Sequence, residues 1–186
     1  MTKDELRRSL REKRKAFVVD KNREVPFPKR LLEHNQSEQS LGGYAATRWE
    51  ADIGHWWPSL LEAGFRIALP YLADRKAVMD FREWDGLSAL ENAPFGFQQP
   101  AKGSVVIVPD ILLVPLIGFD RKGNRLGQGA GHYDRYFMNN FNCFKIGVGL
   151  SCQEVDHIPT DPWDVPLQAI VTERDWIECS PKKDVL

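Results

Sequence analysis

The sequence predicts a three-layer α/β/α domain with a mostly parallel central sheet. Two observations carry that prediction. Short apolar runs bounded by turn residues recur along the chain, at Arg66 to Tyr71, Ile111 to Val114, Phe144 to Leu150 and Leu167 to Thr172. Apolar runs of this length that do not alternate are the pattern of strands covered on both faces. Segments with helical spacing lie between them across short links, the order expected of a parallel sheet wrapped by helices. Size agrees, since 186 residues fit one domain, expected over residues 1–186, with a sizeable core.

Composition narrows the function classes. Basic residues number 25 and acidic residues 26, so no global positive field exists to attract nucleic acid, and any anion site has to be local. Cys143, Cys152 and Cys179 show neither disulfide nor metal spacing, which suggests reduced thiols in a cytoplasmic protein. The N-terminus is charged and no run is long enough to span a bilayer, so neither a signal peptide nor a membrane segment is expected.

Taken in order, Thr2 to Phe17 reads as a helix, with Thr2 and Glu5 as a capping box. Leu6, Leu10, Arg14 and Phe17 form a thin stripe. Seven residues of this helix, Lys3, Arg7, Arg8, Arg11, Lys13, Arg14 and Lys15, are basic, and most are expected to face solvent. Lys3 and Arg7, four apart, share a face and are the candidates to meet an anionic ligand. A second short helix is expected from Lys29 to Asn35. Leu41 to Thr47 reads as a strand, with Trp49 to Asp52 as its exit loop. Ligands in open α/β sheets bind outside the carboxyl ends of strands, which makes Glu50 a candidate. Gly54 to Glu62 reads as a helix with Pro58 in its first turn, Gly64 as its stop, and Trp56, Leu60 and Leu61 packed on the sheet. Ala77 to Trp84 alternates as an edge strand does. Residues 85–104 read as loop, where Phe95 and Phe97 either pack or clamp a planar ring.

The most informative stretch runs from Leu112 to Phe137. It joins the Ile111 to Val114 strand to a helix over His132 to Met138, on which Tyr133, Tyr136 and Phe137 fall at helical spacing. Between them are glycines at 118, 123, 127, 129 and 131. Glycine lets backbone N–H groups turn inward, and a helix N-terminus adds partial positive charge, so this arrangement suits a polyphosphate. Arg121, Lys122 and Arg125 add full charge, and Asp134 is a candidate metal ligand. The pattern is neither Walker A nor the dinucleotide fingerprint. A hairpin or plain connector remains the alternative. Further on, Cys152 to His157 reads as a turn or short helical piece. Residues from Ser180 read as a polar tail.

Together these pieces resemble the 5-formyltetrahydrofolate cyclo-ligase, or methenyltetrahydrofolate synthetase, family. The family's hallmark segment, VPGVAFDxxGxRLGxGxGYYDR, stands here as VPLIGFDRKGNRLGQGAGHYDR over residues 114–135. Weaker matches follow in order: KxxLR at Lys3 to Arg7, the acidic site at Glu50, the FGI-like turn at Phe95-Gly96-Phe97, and HDVPLDxxVTE as Trp163 to Glu173.

The resemblance implies a NagB/RpiA-like open sheet and ATP- and Mg-dependent closure of 5-formyltetrahydrofolate to 5,10-methenyltetrahydrofolate. It implies that Lys3 and Arg7 contact ATP, and that Arg125, Leu126, Gly127, Gln128, Gly129, Ala130, Gly131, His132 and Tyr133 wrap its phosphates. Within that loop Gln128 to His132 face the folate, joined by Ala45 and Glu50. Arg125, His132 and Tyr133 are the implied catalytic groups, and Asp134 and Asp164 the magnesium carboxylates. Trp84, Phe95 and Phe97 are candidates to pack on the pterin. The implied partner is the small-molecule folate, with or without a polyglutamate tail, for a cytoplasmic monomer or weak dimer that binds neither nucleic acid nor membrane.

Three positions depart from the pattern. His132 replaces a tyrosine, Gln168 an aspartate expected near the metal, and Gln99 a glutamate. These leave open a second reading, a folate- or nucleotide-binding protein without catalysis. A third, a nucleic-acid module using the basic first helix, is opposed by the near-neutral net charge of −1.

Overall fold

Thr2 opens the first helix as predicted, and both halves of its capping box form. Its hydroxyl accepts from Glu5 N–H at 3.2 Å and its own N–H donates to the Glu5 carboxylate at 2.7 Å. The protein is described by a computed structural model over residues 1–34, 39–75, 77–94 and 96–179. Phe95, Asn35 and the tail from Ser180 lie outside the described residues.

Helix α1 is Lys3–Asp20, slightly longer than predicted. A 3-10 helix, Lys29–His34, stands where an α-helix was expected. Strand β1, Ser40–Gly42, is followed by a 3-10 turn at Gly54–Trp56 that leads into α2, Trp57–Glu62. Then come β2 (Arg66–Tyr71), β3 (Asp80–Glu83), and a small hairpin of β4 (Glu91–Asn92) and β5 (Gln98–Gln99). Strand β6 is Ile111–Pro115, and β7 (Gly118–Phe119) pairs with β8 (Arg125–Leu126) in a second small hairpin. Helix α3 is His132–Asn139; β9 (Phe144–Val148), β10 (Ala169–Val171) and β11 (Trp176–Glu178) follow.

Seven strands form the central sheet in the order β11-β10-β9-β6-β1-β2-β3. The five inner strands run parallel, and β3 and β11 are antiparallel edges. Alternate residues of one strand enter opposite cores. Ile111 and Leu113 join Ile67, Leu69 and Val148 under Trp56 and Leu60. Leu112 and Val114 join Ala68 and Ile170 under Tyr136 and Phe137 of α3. This explains why the strands read as continuous apolar runs: both faces are covered. Leu6 and Leu10 of α1 form a third cluster with Ile117, Leu126 and Ile158, clamping α1 to the central hairpin.

Several expectations change. The strand expected over Leu41 to Thr47 ends at Gly42. The Gly43 N–H still reaches Ala68 O at 2.8 Å, and the chain then leaves the sheet. Leu61 stays exposed while Trp56 and Leu60 pack inward. Residues 85–104 contain the β4–β5 hairpin, and β11 lies in a stretch too polar to read as a strand; as an edge it buries Ile177 alone among its three residues.

The glycine-rich connector is the largest revision. Its first half is the β7–β8 hairpin rather than an open loop. Asp120, fully buried, accepts from the N–H groups of Lys122, Asn124 and Ile158 and from Asn124 Nδ2, which fixes the hairpin's tip. Gly123 there has φ +85°, and a Cβ would meet Leu167 O at 2.4 Å, so no other residue fits. Only the second half, from Gly127 onward, is left to form a cradle.

Candidate active site

The loops leaving β1, β2 and β6 at their carboxyl ends surround one cavity of about 640 Å³. That volume is ordinary for a small-molecule site. Lys3, Arg7, Ala45, Glu50, Arg125, the run Leu126 to Tyr133, Asp134 and Asp164 all line it. These residues span most of the chain, and the fold gathers them in one place.

The basic wall comes from α1. Lys3 Nζ donates to Asp161 at 2.5 Å and to Asp164 at 2.6 Å. Burial lowers the Lys3 pKa, but those two bonds together with the charges of both acids outweigh it, and the net shift is upward. Arg7 donates to Gly127 O at 3.0 Å and pairs with Asp4 at 2.5 Å. Arg11, which the sequence assigned to solvent, donates to Gln128 O at 3.3 Å and to its side-chain oxygen at 3.1 Å. The α1 helix therefore holds the loop from outside. Gly129, with φ +107°, lets the loop turn beside the Arg7 guanidinium, whose atoms would lie 3.7 Å from a Cβ there.

The floor comes from β8 and α3. The Arg125 guanidinium donates to Val165 O and to Asp134, and lies 4.9 Å from the Phe137 ring centre. Gly131, in the left-handed region at φ 65°, starts α3, so Asp134 sits in the helix's first turn. Arg135 donates to Ala130 O at 2.8 Å and to His132 Nδ1 at 3.0 Å. A guanidinium cannot accept, so Nδ1 is the acceptor and the neutral ring carries its proton on Nε2. Burial, then the Arg135 charge, pushes the His132 pKa below its usual value.

The inner end is different in character. Glu50 is 9% exposed and accepts from Thr47 N–H at 2.9 Å and Thr47 Oγ1 at 2.8 Å. Tyr133 points to the same end. Burial, then the Glu50 charge, pushes its pKa upward, so its phenol remains a neutral donor. Tyr44 is buried alongside, donating to Ala51 O at 2.8 Å. Pro70, Leu72, Met79 and Phe97 complete an apolar lining. One cavity thus has an end of paired charges, where Lys3, Arg7 and Arg125 stand with Asp134, Asp161 and Asp164, and an apolar end with one carboxylate.

Asp134 and Asp164 line the same cavity, each beside a basic side chain. Among the described residues no three acidic, histidine or cysteine side chains cluster tightly enough to cage a metal. Two hard oxygen donors fit Mg²⁺, which usually takes one or two carboxylates and completes its shell with phosphate oxygens and water.

Other predicted placements fail. Arg121 pairs with Glu154 at 2.6 Å, and neither it nor Lys122, both on the tip of the β7–β8 hairpin, lines the cavity. Gln168 does not line the cavity: its side-chain oxygen accepts from Lys145 N–H at 2.8 Å. Gln99 accepts from Leu72 N–H at 3.0 Å, behind the wall. Trp84 packs on Trp57 with ring centres 6.1 Å apart and does not reach the cavity. Sequence reasoning missed Asp161, Trp163, Tyr44 and Thr47. Only Asp161 and Trp163 carried a signal, their place beside Asp164.

Known proteins resemble the chain throughout. An Escherichia coli (strain K12) protein named 5-formyltetrahydrofolate cyclo-ligase is 27% identical over 179 residues, 88% of this chain and 96% of that protein. A Haemophilus influenzae protein of the same name is 44% identical over 79 residues, 39% of this chain and 42% of the relative. The NMR structure of Aquifex aeolicus 5,10-methenyltetrahydrofolate synthetase shares the fold with a TM-score of 0.77 at 24% identity, covering 100% of this chain and 97% of that one. The pattern of the 5-formyltetrahydrofolate cyclo-ligase family matches residues 1–173, and the chain belongs to that family.

Proposed function

We propose that this chain converts 5-formyltetrahydrofolate to 5,10-methenyltetrahydrofolate, using ATP and releasing ADP and phosphate. One observation carries the reading: a single cavity joins a glycine loop flanked by Lys3, Arg7 and Arg125 to a buried carboxylate and a neutral phenol. Family membership supports it.

The reaction needs activation because an N-formyl oxygen is a poor leaving group. The formyl oxygen takes the γ-phosphoryl group of ATP; an O–P bond forms and the bond to the bridging oxygen of ADP breaks. N10 then gives its electron pair to the formyl carbon and loses its proton. The carbon–oxygen bond breaks and phosphate departs. A catalyst of these steps chiefly positions the partners and offsets charge.

In this reading Lys3, Arg7 and Arg125 bind the phosphates, and the backbone from Leu126 to Gly131 wraps them. Glu50 and Ala45 face the pterin, where Glu50 accepts from ring N–H groups. His132, and Tyr133 at the apolar end beside Glu50, serve as neutral donors to the formyl and phosphoryl oxygens. Asp134 and Asp164 would hold Mg²⁺, which when bound offsets charge on the transferring group. Gln99 and Gln168 both serve the scaffold, so those departures do not strip the cavity.

No helix among the described residues is long and apolar enough to cross a membrane. The reading takes the enzyme as a cytoplasmic monomer or weak dimer, acting on folate with or without a polyglutamate tail. The test is the absorbance of the methenyl product from folinic acid with and without Mg-ATP. Folded protein saturated with both substrates and giving no product would overturn the reading.

A further inference from the structure

Trp163 stands apart from the other tryptophans. Trp56 and Trp57 are buried, Trp84 packs on Trp57, Trp49 lies under Lys15 and Arg48, and Trp176 lies under Arg30. Trp163 is 61% exposed, and among the described residues its indole engages no ring, cation or hydrogen-bond partner. Scattered exposed apolar residues need no explanation in general. This one lines the cavity.

Its backbone is also fixed. Asp164 N–H donates to Asp161 O at 3.0 Å, and Asp161 N–H donates to the Asp164 carboxylate at 2.8 Å, closing a tight turn with Trp163 inside it. Lys3 grips both acids of that turn. The indole is therefore carried on the charged end of the cavity, beside Lys3, remote in character from the apolar end where Tyr133, Phe97 and Glu50 lie. A triphosphate held by Lys3 and the glycine loop has to send its nucleoside outward, toward that rim.

We propose that Trp163 is the platform on which the nucleotide's base stacks. The inference rests on the nucleotide reading of the cavity given above and adds a determinant for the base. Stacking on an aromatic face tolerates any base, because every base has a π-face. The site therefore accepts purine triphosphates other than ATP, and the base adds affinity that a bare triphosphate lacks.

Calorimetry with Mg-ATP, Mg-GTP and Mg-tripolyphosphate tests this independently of turnover. Removing a base–aromatic stack commonly costs about 1–3 kcal/mol, or about 5- to 150-fold. Trp163→Ala is expected to weaken Mg-ATP and Mg-GTP about tenfold or more and to leave Mg-tripolyphosphate unchanged. Trp163→Phe keeps a ring and is expected to stay within about threefold of the parent. Because the side chain is exposed, thermal unfolding of both variants should match the parent. Unchanged Mg-ATP affinity in Trp163→Ala, or an equal loss for tripolyphosphate, overturns the proposal. A protein that binds Mg-ATP through Trp163 but forms no methenyl product would defeat the function reading and leave this one standing.

Discussion

Lys3 and Asp164 stand 161 residues apart in the chain and 2.6 Å apart in space. The first turn of the first helix thereby neutralises an acid on the last large loop, and both line the cavity. Lys3→Met leaves Asp161 and Asp164 side by side without their cation. The KM for Mg-ATP should rise about tenfold with the KM for folinic acid unchanged, the pattern of lost phosphate contact. Stability should fall by no more than about 1 kcal/mol, since Asp161 is partly exposed and water screens the pair. A variant with normal KM for Mg-ATP would remove Lys3 from the phosphate site.

Arg125 answers a different question. It is bound to Asp134, to the Val165 carbonyl and to the Phe137 face. Arg125→Ala should weaken Mg-ATP binding about tenfold or more, since hydrogen bonds to charged groups are worth about 1.5–3 kcal/mol. Folate binding should change by less than about threefold. Calorimetry with each ligand separates the two, and equal losses would mean the loop does not hold the phosphates.

Asp120 is a scaffold prediction. Four donors, from Lys122, Asn124 and Ile158, converge on its buried carboxylate. Asp120→Ala leaves them without an acceptor, which should cost about 3 kcal/mol and lower Tm by roughly 10 °C. A thermal melt within about 2 °C of the parent would contradict this account of the hairpin.

His132 supplies the pH dependence. Burial and Arg135 hold its pKa below 6.5 in the folded state. Between the folded value and 6.5 the unfolded chain binds more protons, and stability rises with pH wherever that is so. The His132 contribution is therefore complete above about pH 6.5 and is lost as pH falls through the folded value. Wild type should lose more stability between pH 7 and pH 5 than His132→Gln does. An NMR titration of His132 with its midpoint at or above 6.5 would contradict the burial argument.

Gln168 tests a departure from the family pattern. Its side chain accepts from Lys145 N–H, and its own N–H donates to Lys145 O at 3.0 Å. Gln168→Asp shortens the arm, so it should cost about 1 kcal/mol of stability. The magnesium dependence of turnover should not move. A gain in metal affinity would show that position 168 reaches the acids after all.

The parts of the fold that the sequence disclosed are those where local pattern and tertiary burial agree. Arg66 to Tyr71 and Ile111 to Val114 are covered on both faces, so composition alone marked them. The capping box at Thr2 is a contact within one turn, and it too was legible. The β7–β8 hairpin was not, because its tip is held by Ile158 and Leu167, far along the chain. Arg11 looked solvated because its partner, Gln128, is 117 residues away. Gln168 was misplaced for a related reason: a motif aligns positions in a chain and does not say which way a side chain leaves the backbone. The charged and loop residues gathered in the cavity were mostly legible through family resemblance; Asp161 and Trp163 had only their place beside Asp164 to mark them, and Tyr44 and Thr47 emerged from the structure alone.

The bond from Lys3 to the 161–164 turn also has a temporal meaning. Lys3 is synthesised 158 and 161 residues before the two acids it meets. Until the 161–164 turn is made, Arg7 has Asp4 within its own helix, but Lys3 lacks both of its acidic partners and the basic wall of the cavity is not fixed. Ligand-assisted folding of this protein is therefore expected only once the 161–164 turn has been made.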